Sequence, residues 1–346
     1  MEIKKVLYLT HPEQDYGEAF LFYGLCQVLG DENVVTYPFK RTYYGETADD
    51  YILDDGKKGF TEPNPWMISM DRNFWTFDEI KKRIQEFDII VLSSARTYAL
   101  RAADEILRAF NGKFPKPLIF TEHEDGDNIR HDIIRKYSPS IVFKRELVNI
   151  RDTLYNNPKI YPLPFSCPYQ AFPEIDDTEK EIDLFMLCGN THTLRVQTVK
   201  KILSMDLEKK GYKIHVGIDN GIQPHGYVIP PLQSWENYIH LISKSRIGIA
   251  VRGWGRDTIR RWEIPAFNTM MLECDCGLIT PNPYVDGITC VRFREDLSDI
   301  GEKITYYLEH DDERKEIARL GHEHLLKYHT NEKRAQYFID IIEKAL

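Results

Sequence analysis

Residues 247–267 read Ile247-Gly248-Ile249-Ala250-Val251, Arg252-Gly253-Trp254-Gly255-Arg256-Asp257, Thr258-Ile259, and Arg260-Arg261-Trp262-Glu263-Ile264-Pro265-Ala266-Phe267. The apolar run predicts a buried strand. The Gly- and Arg-rich stretch predicts a cationic loop, and Arg260 onward predicts a helix with two arginines and Glu263 in its first turn. A helix start offers unpaired N–H groups and partial positive charge, which suit phosphate. Arginine adds forked donors for phosphate oxygens. A nearby carboxylate can accept hydrogen bonds from ribose hydroxyls. Together these residues point to a nucleotide-diphosphate pocket, although a surface helix with a salt-bridged Glu263 would carry the same letters.

The same order occurs once more upstream. Ile182 to Cys188 is an apolar run, Gly189-Asn190-Thr191-His192-Thr193-Leu194-Arg195 is a polar loop, and Val196 to Leu207 has helical spacing. An α/β unit therefore opens near residue 181, after a segment punctuated by Pro162, Pro164, Pro168 and Pro173 that reads as a linker.

The first half begins in the same way. Lys5 to Thr10 predicts a strand, His11 to Gly17 a loop, and Ala19 to Leu29 a helix, which is the opening of a doubly wound α/β domain. Ligands of such sheets sit at the carboxyl ends of the strands, so His11, Asp15, Gly17 and Glu18 are candidates to face a cleft. Helix capping would account for the same residues. The excursion from Arg41 to Trp75 is rich in aromatic residues and irregular, and aromatic faces suit sugar rings as well as a buried flap. After the strand Pro117 to Phe120 comes Thr121-Glu122-His123-Glu124-Asp125-Gly126-Asp127, with four carboxylates and a histidine in seven positions. Crowded carboxylates raise a pKa, which makes Glu124 and Asp125 candidate general bases, with Asp15 and His11 beside them. His123 and Asp127 join Gly17 and Glu18 as acceptor-side candidates. Ligation of Mg or Mn is a competing use of the loop, and a solvated helix cap a third.

The chain has 346 residues, enough for about two domains of ~150 residues. Its 42% hydrophobic and 29% charged residues are those of a globular protein. No apolar run approaches the ~20 residues of a membrane span. The apolar run in MEIKKVLYLTH is too short for a signal peptide, and the six scattered cysteines read as reduced thiols, so the expected location is cytoplasmic. A net charge of −9 argues against a broad nucleic-acid footprint, while leaving a modified-base acceptor open. No tandem repeat is visible.

Two further stretches carry a resemblance. RRWEIPAFNTMML and ITYYLEHDDERKEIARLGHEHLLKYHTNEKR are similar to the C-terminal half of CgeB-like glycosyltransferases, a branch of the GT-B enzymes. The family has Arg, an aromatic and Glu-Ile-Pro-Ala at the first. At the second it has helix, acidic break with Glu-Arg, helix, and His-Thr before a final Arg. Phe267-Asn268 stands where the family usually has Cys-Gly.

The resemblance implies a GT-B-like fold: two Rossmann-type doubly wound α/β domains facing across a cleft. The expected division is an acceptor-side domain over 1–166, a linker over 167–180, a nucleotide-sugar domain over 181–330, and a last helix over 331–346 that packs back on the first domain. The implied activity is transfer of a sugar from a nucleotide-diphosphate donor, UDP type first, to a glycan or other hydroxyl acceptor, without metal or cofactor. Donor contacts are assigned to Gly189, Asn190, Arg195, Arg252, Arg256, Arg260, Arg261 and Glu263. A nucleotide-sugar epimerase or hydrolase, or a non-catalytic binding module, would use the same architecture.

Overall fold

The computed structural model describes residues 1–13, 15–44, 74–148, 158–174, 179–219 and 235–346. The part of the aromatic excursion from 45 to 73 lies outside the described residues. Two compact units emerge, one formed by Met1–Ala171, Ile279–Pro281 and Thr330–Leu346, the other by Phe172–Leu278 and Asn282–His329.

In the first unit the elements run β1 (Val6–Leu9), α1 (Tyr16–Leu29), β2 (Val34–Tyr37), α2 (Phe77–Arg83), β3 (Ile89–Leu92), α3 (Thr97–Ala109), β4 (Leu118–Glu122), α4 (His131–Tyr137), β5 (Ile141–Lys144) and β6 (Lys159–Pro162). All strands pair in parallel in the order β2-β1-β3-β4-β5-β6. The short strands are apolar on both faces because helices cover both. Val6, Tyr8, Ile89 and Val91 point into one core, and Leu7, Leu9, Ile90 and Leu92 into the other. β6 lies in the proline-punctuated stretch; Pro162 stands at the strand's end, where its missing N–H costs little.

The second unit contains β7 (Ile182–Gly189), α5 (Thr193–Leu203), β8 (Ile214–Asp219), α6 (Trp235–Ser243), β9 (Ser245–Ala250), α7 (Arg260–Glu263), β10 (Met270–Cys274), β11 (Val291–Phe293), α8 (Ile300–Glu309) and α9 (Asp311–Tyr328). Its parallel sheet has the order β11-β10-β9-β7-β8. One reading of the sequence is corrected here. The helix from Arg260 is a single turn, continued as a 3-10 turn Ile264–Phe267 with Pro265 in it, so it offers no helix N-terminus of useful length. The next strand is Met270–Cys274, and Gly277, at φ 67°, belongs to the loop that follows it.

The last helix, α10 (Asn331–Ala345), belongs to the first unit. Its Ala335, Phe338, Ile339 and Ile342 share a core with Phe22 and Leu25 of α1. Among the described residues no helix is long and apolar enough to cross a membrane.

Candidate active site

Each sheet reverses its strand order at one place: between β1 and β3 in the first unit, and between β7 and β9 in the second. Loops leaving two adjacent strands in opposite directions open a crevice at their carboxyl ends, where open α/β sheets bind ligands. Both sets of candidate residues fall at these places.

In the first unit, His11 follows β1, Ser93 follows β3 and His123 follows β4. Asp15 caps α1, its Oδ1 accepting the Glu18 N–H at 3.1 Å. Glu18 is completely buried, which costs several kcal/mol unless its oxygens are satisfied. They are: Oε1 accepts from Ser93 Oγ at 2.9 Å, and Oε2 accepts from Lys40 Nζ at 2.9 Å. His11 Nε2 also lies 2.9 Å from Oε2, an ion-pair contact rather than an aligned hydrogen bond. Asp15 Oδ2 is 3.8 Å from His11 Nε2 and 3.9 Å from Arg96 Nη2.

Burial pushes the carboxyls of Asp15 and Glu18 upward, and their neighbours overcome it. The nearby His11 ring and the charges of His123 and Arg96 hold Asp15 well below the usual carboxylate range. His11 and Lys40 hold Glu18 at about 2. For His11, burial works against the proton, but Glu18 and Asp15 outweigh it and raise the pKa.

His123 is different. Burial brings its pKa down to about 4, so the ring is neutral at physiological pH. Both of its nitrogens are buried without a hydrogen-bond partner. Gly17 makes room for it, since a Cβ there would stand 2.4 Å from His123 Nδ1.

The structure therefore brings His11, Asp15, Gly17, Glu18 and His123 together. Glu124, Asp125 and Asp127 stand outside that group. Three of the loop's four acids face cations: Asp125 pairs with Arg145, Glu124 lies 3.6 Å from Arg130, and Glu122 lies 2.8 Å from Lys144. Asp127 is exposed. Glu122 has its pKa raised, by burial first and by the charge of Glu124 as well, against the pull of Lys144, to which it is locked. Among the described residues no three His, Cys, Asp or Glu side chains are placed to hold a metal ion.

In the second unit, Arg195 ties the loop after β7 to the loop after β9. Its Nη1 donates to Gly189 O at 3.0 Å, Nε to Arg252 O at 3.0 Å and Nη2 to Val251 O at 3.4 Å. Gly253 is required by this closeness: a Cβ would meet Thr191 Oγ1 at 2.8 Å and Arg195 Nη2 at 2.9 Å. His192 caps α5, and Asn190 is exposed beside it. Arg252 donates to Trp254 O at 3.1 Å, and Arg256 to Cys276 O at 2.8 Å; both side chains remain partly accessible.

Two assigned donor contacts are corrected to bracing roles. Arg195 is buried with its guanidinium on backbone carbonyls, and Arg261 is buried with Nε 2.9 Å from Glu273 of β10. Arg260 stays partly accessible. Glu263 is buried and accepts from Tyr238 Oη at 2.9 Å. Burial pushes its carboxyl up to about 7 against the pull of Arg260 and the Tyr238 hydrogen bond.

A family model described as glycosyl transferase-like matches residues 206–340, which include the whole arginine loop and Glu263. Structures similar along their full length include a glycosyltransferase from Rickettsia africae ESF-5 at 12% identity, covering 100% of this chain and 99% of that one with a TM-score of 0.61. An α-glucosyltransferase in complex with UDP-glucose and DNA containing an abasic site is 13% identical, with coverage of 97% and 98% and a TM-score of 0.57. Sucrose-phosphate synthase from Thermosynechococcus elongatus is 9% identical, with coverage of 99% and 98% and a TM-score of 0.59. No curated protein matches the sequence. The fold is GT-B. With the family match on the arginine loop, this GT-B chain is a glycosyltransferase.

Sequence reasoning missed two members of the first unit's group. Ser93 was detectable, because it is the first residue after an apolar strand. Lys40 gave no signal: it is 22 positions from Glu18 and lies in no motif.

Proposed function

We propose that this GT-B enzyme moves a sugar from a nucleotide-diphosphate sugar, of UDP type, to a hydroxyl of a glycan or other acceptor, without metal. Assignment to the CgeB-like branch is part of the same reading and rests on the RRWEIPA and HTNEKR stretches. So is a cytoplasmic location, which the six scattered cysteines, read as reduced thiols, favour. The observation that carries the donor assignment is the pair of loops locked together by Arg195 at the switch point of the second sheet. The neighbouring structure that binds UDP-glucose has the same fold and gives the UDP choice its support.

The chemistry follows from the residues. Arg252, Arg256 and Arg260 supply counter-charge to the departing diphosphate, preorganised by the braced loops. Glu263 offers its carboxyl to the ribose. In the first unit, neutral His123 has two ring nitrogens without partners and binds the acceptor hydroxyl. The ionised Asp15 orients it, and His11 receives its proton where the reaction needs a base.

Thermal denaturation tests the donor side. UDP at 100 times its Kd should stabilise the chain by about 2.7 kcal/mol and raise Tm. If no nucleoside diphosphate moves Tm at millimolar concentration, the donor assignment is wrong. Turnover assays divide the remainder: donor consumed only with acceptor supports transfer. Consumption without acceptor makes the protein an epimerase or hydrolase, and binding without turnover makes it a binding module.

A further inference from the structure

We propose that Lys40 is a positioning residue for the reaction assigned above: it holds the Glu18 carboxylate and thereby keeps His11 able to accept a proton. The inference rests on the reading that the first unit serves the acceptor. Its own ground is the geometry of a fully buried carboxylate oxygen shared by the Lys40 ammonium and the His11 ring.

Glu18 Oε2 lies 2.9 Å from both Lys40 Nζ and His11 Nε2. The other oxygen is taken by Ser93. Lys40 is itself buried and fixed, donating to Glu13 O at 2.9 Å and lying 4.4 Å from the centre of the Tyr43 ring. A buried lysine with its charge retained on a carboxylate leaves that carboxylate already neutralised. His11 then gains less from taking a proton than it would beside a free Glu18. The remaining groups facing His11 are Asp15 from the start of α1 and His123 from the loop after β4, with Arg96 reaching Asp15 from the segment before α3. Arg145, from the segment after β5, acts on His123. Of the cations in this set, Lys40 alone touches the same oxygen as His11. The ammonium opposes protonation of His11, while Glu18 and Asp15 favour it. Without Lys40, His11 would become the counter-ion of Glu18 and would hold its proton.

The test reads His11 directly. The histidine ring resonances of the full chain are titrated by NMR, with His11 assigned by its loss in His11→Gln. In Lys40→Met the His11 midpoint should move upward, and Lys40→Arg should return it toward the parental value. Ser93→Ala removes a hydrogen bond to Glu18 without changing charge, and should leave the midpoint in place. Turnover by Lys40→Met at neutral pH should fall about 10²-fold, with recovery as pH is raised and with donor Kd unchanged. A His11 midpoint unmoved in Lys40→Met, or moved equally by Ser93→Ala, overturns the proposal. So does lost turnover that stays lost at high pH, which would leave Lys40 a purely structural ion pair. Should Lys40→Met not fold, Lys40→Gln carries the same readings. If the parent turns over no nucleotide sugar, the assigned reaction fails, and the titration still decides whether Lys40 governs His11.

Discussion

Single residues at this site are governed by burial, and Glu263 shows what that costs. Its folded pKa of about 7 stands above the ordinary 4.5, so between these values the folded chain holds a proton that the unfolded chain has released. Stability therefore falls as pH rises through that window, by about 3 kcal/mol once both states are ionised. Glu263→Gln removes the titration. Melting curves of variant and parent should agree most closely near pH 4.5 and separate up to pH 7.5, with the variant gaining on the parent. A separation that does not change with pH would place the ionisation of Glu263 elsewhere. The same residue carries the ribose assignment, because a ligand hydroxyl that hydrogen-bonds the carboxylate would favour the ionised form. Donor binding should then release a proton, measurable as different calorimetric heats in two buffers, and Glu263→Gln should abolish the release. A sequence shows that Glu263 neighbours arginines. It does not show that Tyr238, 25 positions away, supplies the hydrogen bond, nor that Arg261 turns instead to Glu273.

At the scale of elements, the strands were legible where apolar runs are bounded by polar loops. Val6–Leu9 and Ile89–Leu92 stand where alternating cores on both faces require them, and Ile182–Gly189 gives Leu184, Met186 and Cys188 to the core of the second unit. β10 is hard to read because only Asn268, in the αL region, and Thr269 separate Met270–Cys274 from the 3-10 turn, and a 3.6-residue spacing fits the same letters as a helix running on from Arg260. β6 was missed because its stretch is dominated by prolines. The loops were legible as loops, but their charges were not. The acidic run after β4 is neutralised by Arg130, Lys144 and Arg145, and two of these come from β5 and the residue after it, 20 or so positions on. The loop after β9 makes the sharper prediction. Gly253→Ala places a methyl against Thr191 and the Arg195 guanidinium, neither of which is a freely yielding side-chain end. The loops should part, and UDP affinity should fall at least about tenfold with little loss of Tm, as read by calorimetry and melting. An unchanged Kd would mean that the spacing of the loops after β7 and β9 does not matter to the donor.

For the molecule as a whole the question is what balances a departing diphosphate on a chain of net charge −9. The negative total is spread over the surface, where water and salt screen it. Arg252, Arg256 and Arg260 lie close together in sequence after β9, partly sheltered from solvent, where each charge counts for more. Guanidinium groups held by short, braced loops need no rearrangement as negative charge develops, which is the service that a divalent ion otherwise supplies. Turnover should therefore survive chelation and gain nothing from added Mg or Mn. Donor affinity should fall as ionic strength rises, because the partly accessible arginines remain within reach of screening. Activity that vanishes with chelator and returns with Mg or Mn would reverse this argument.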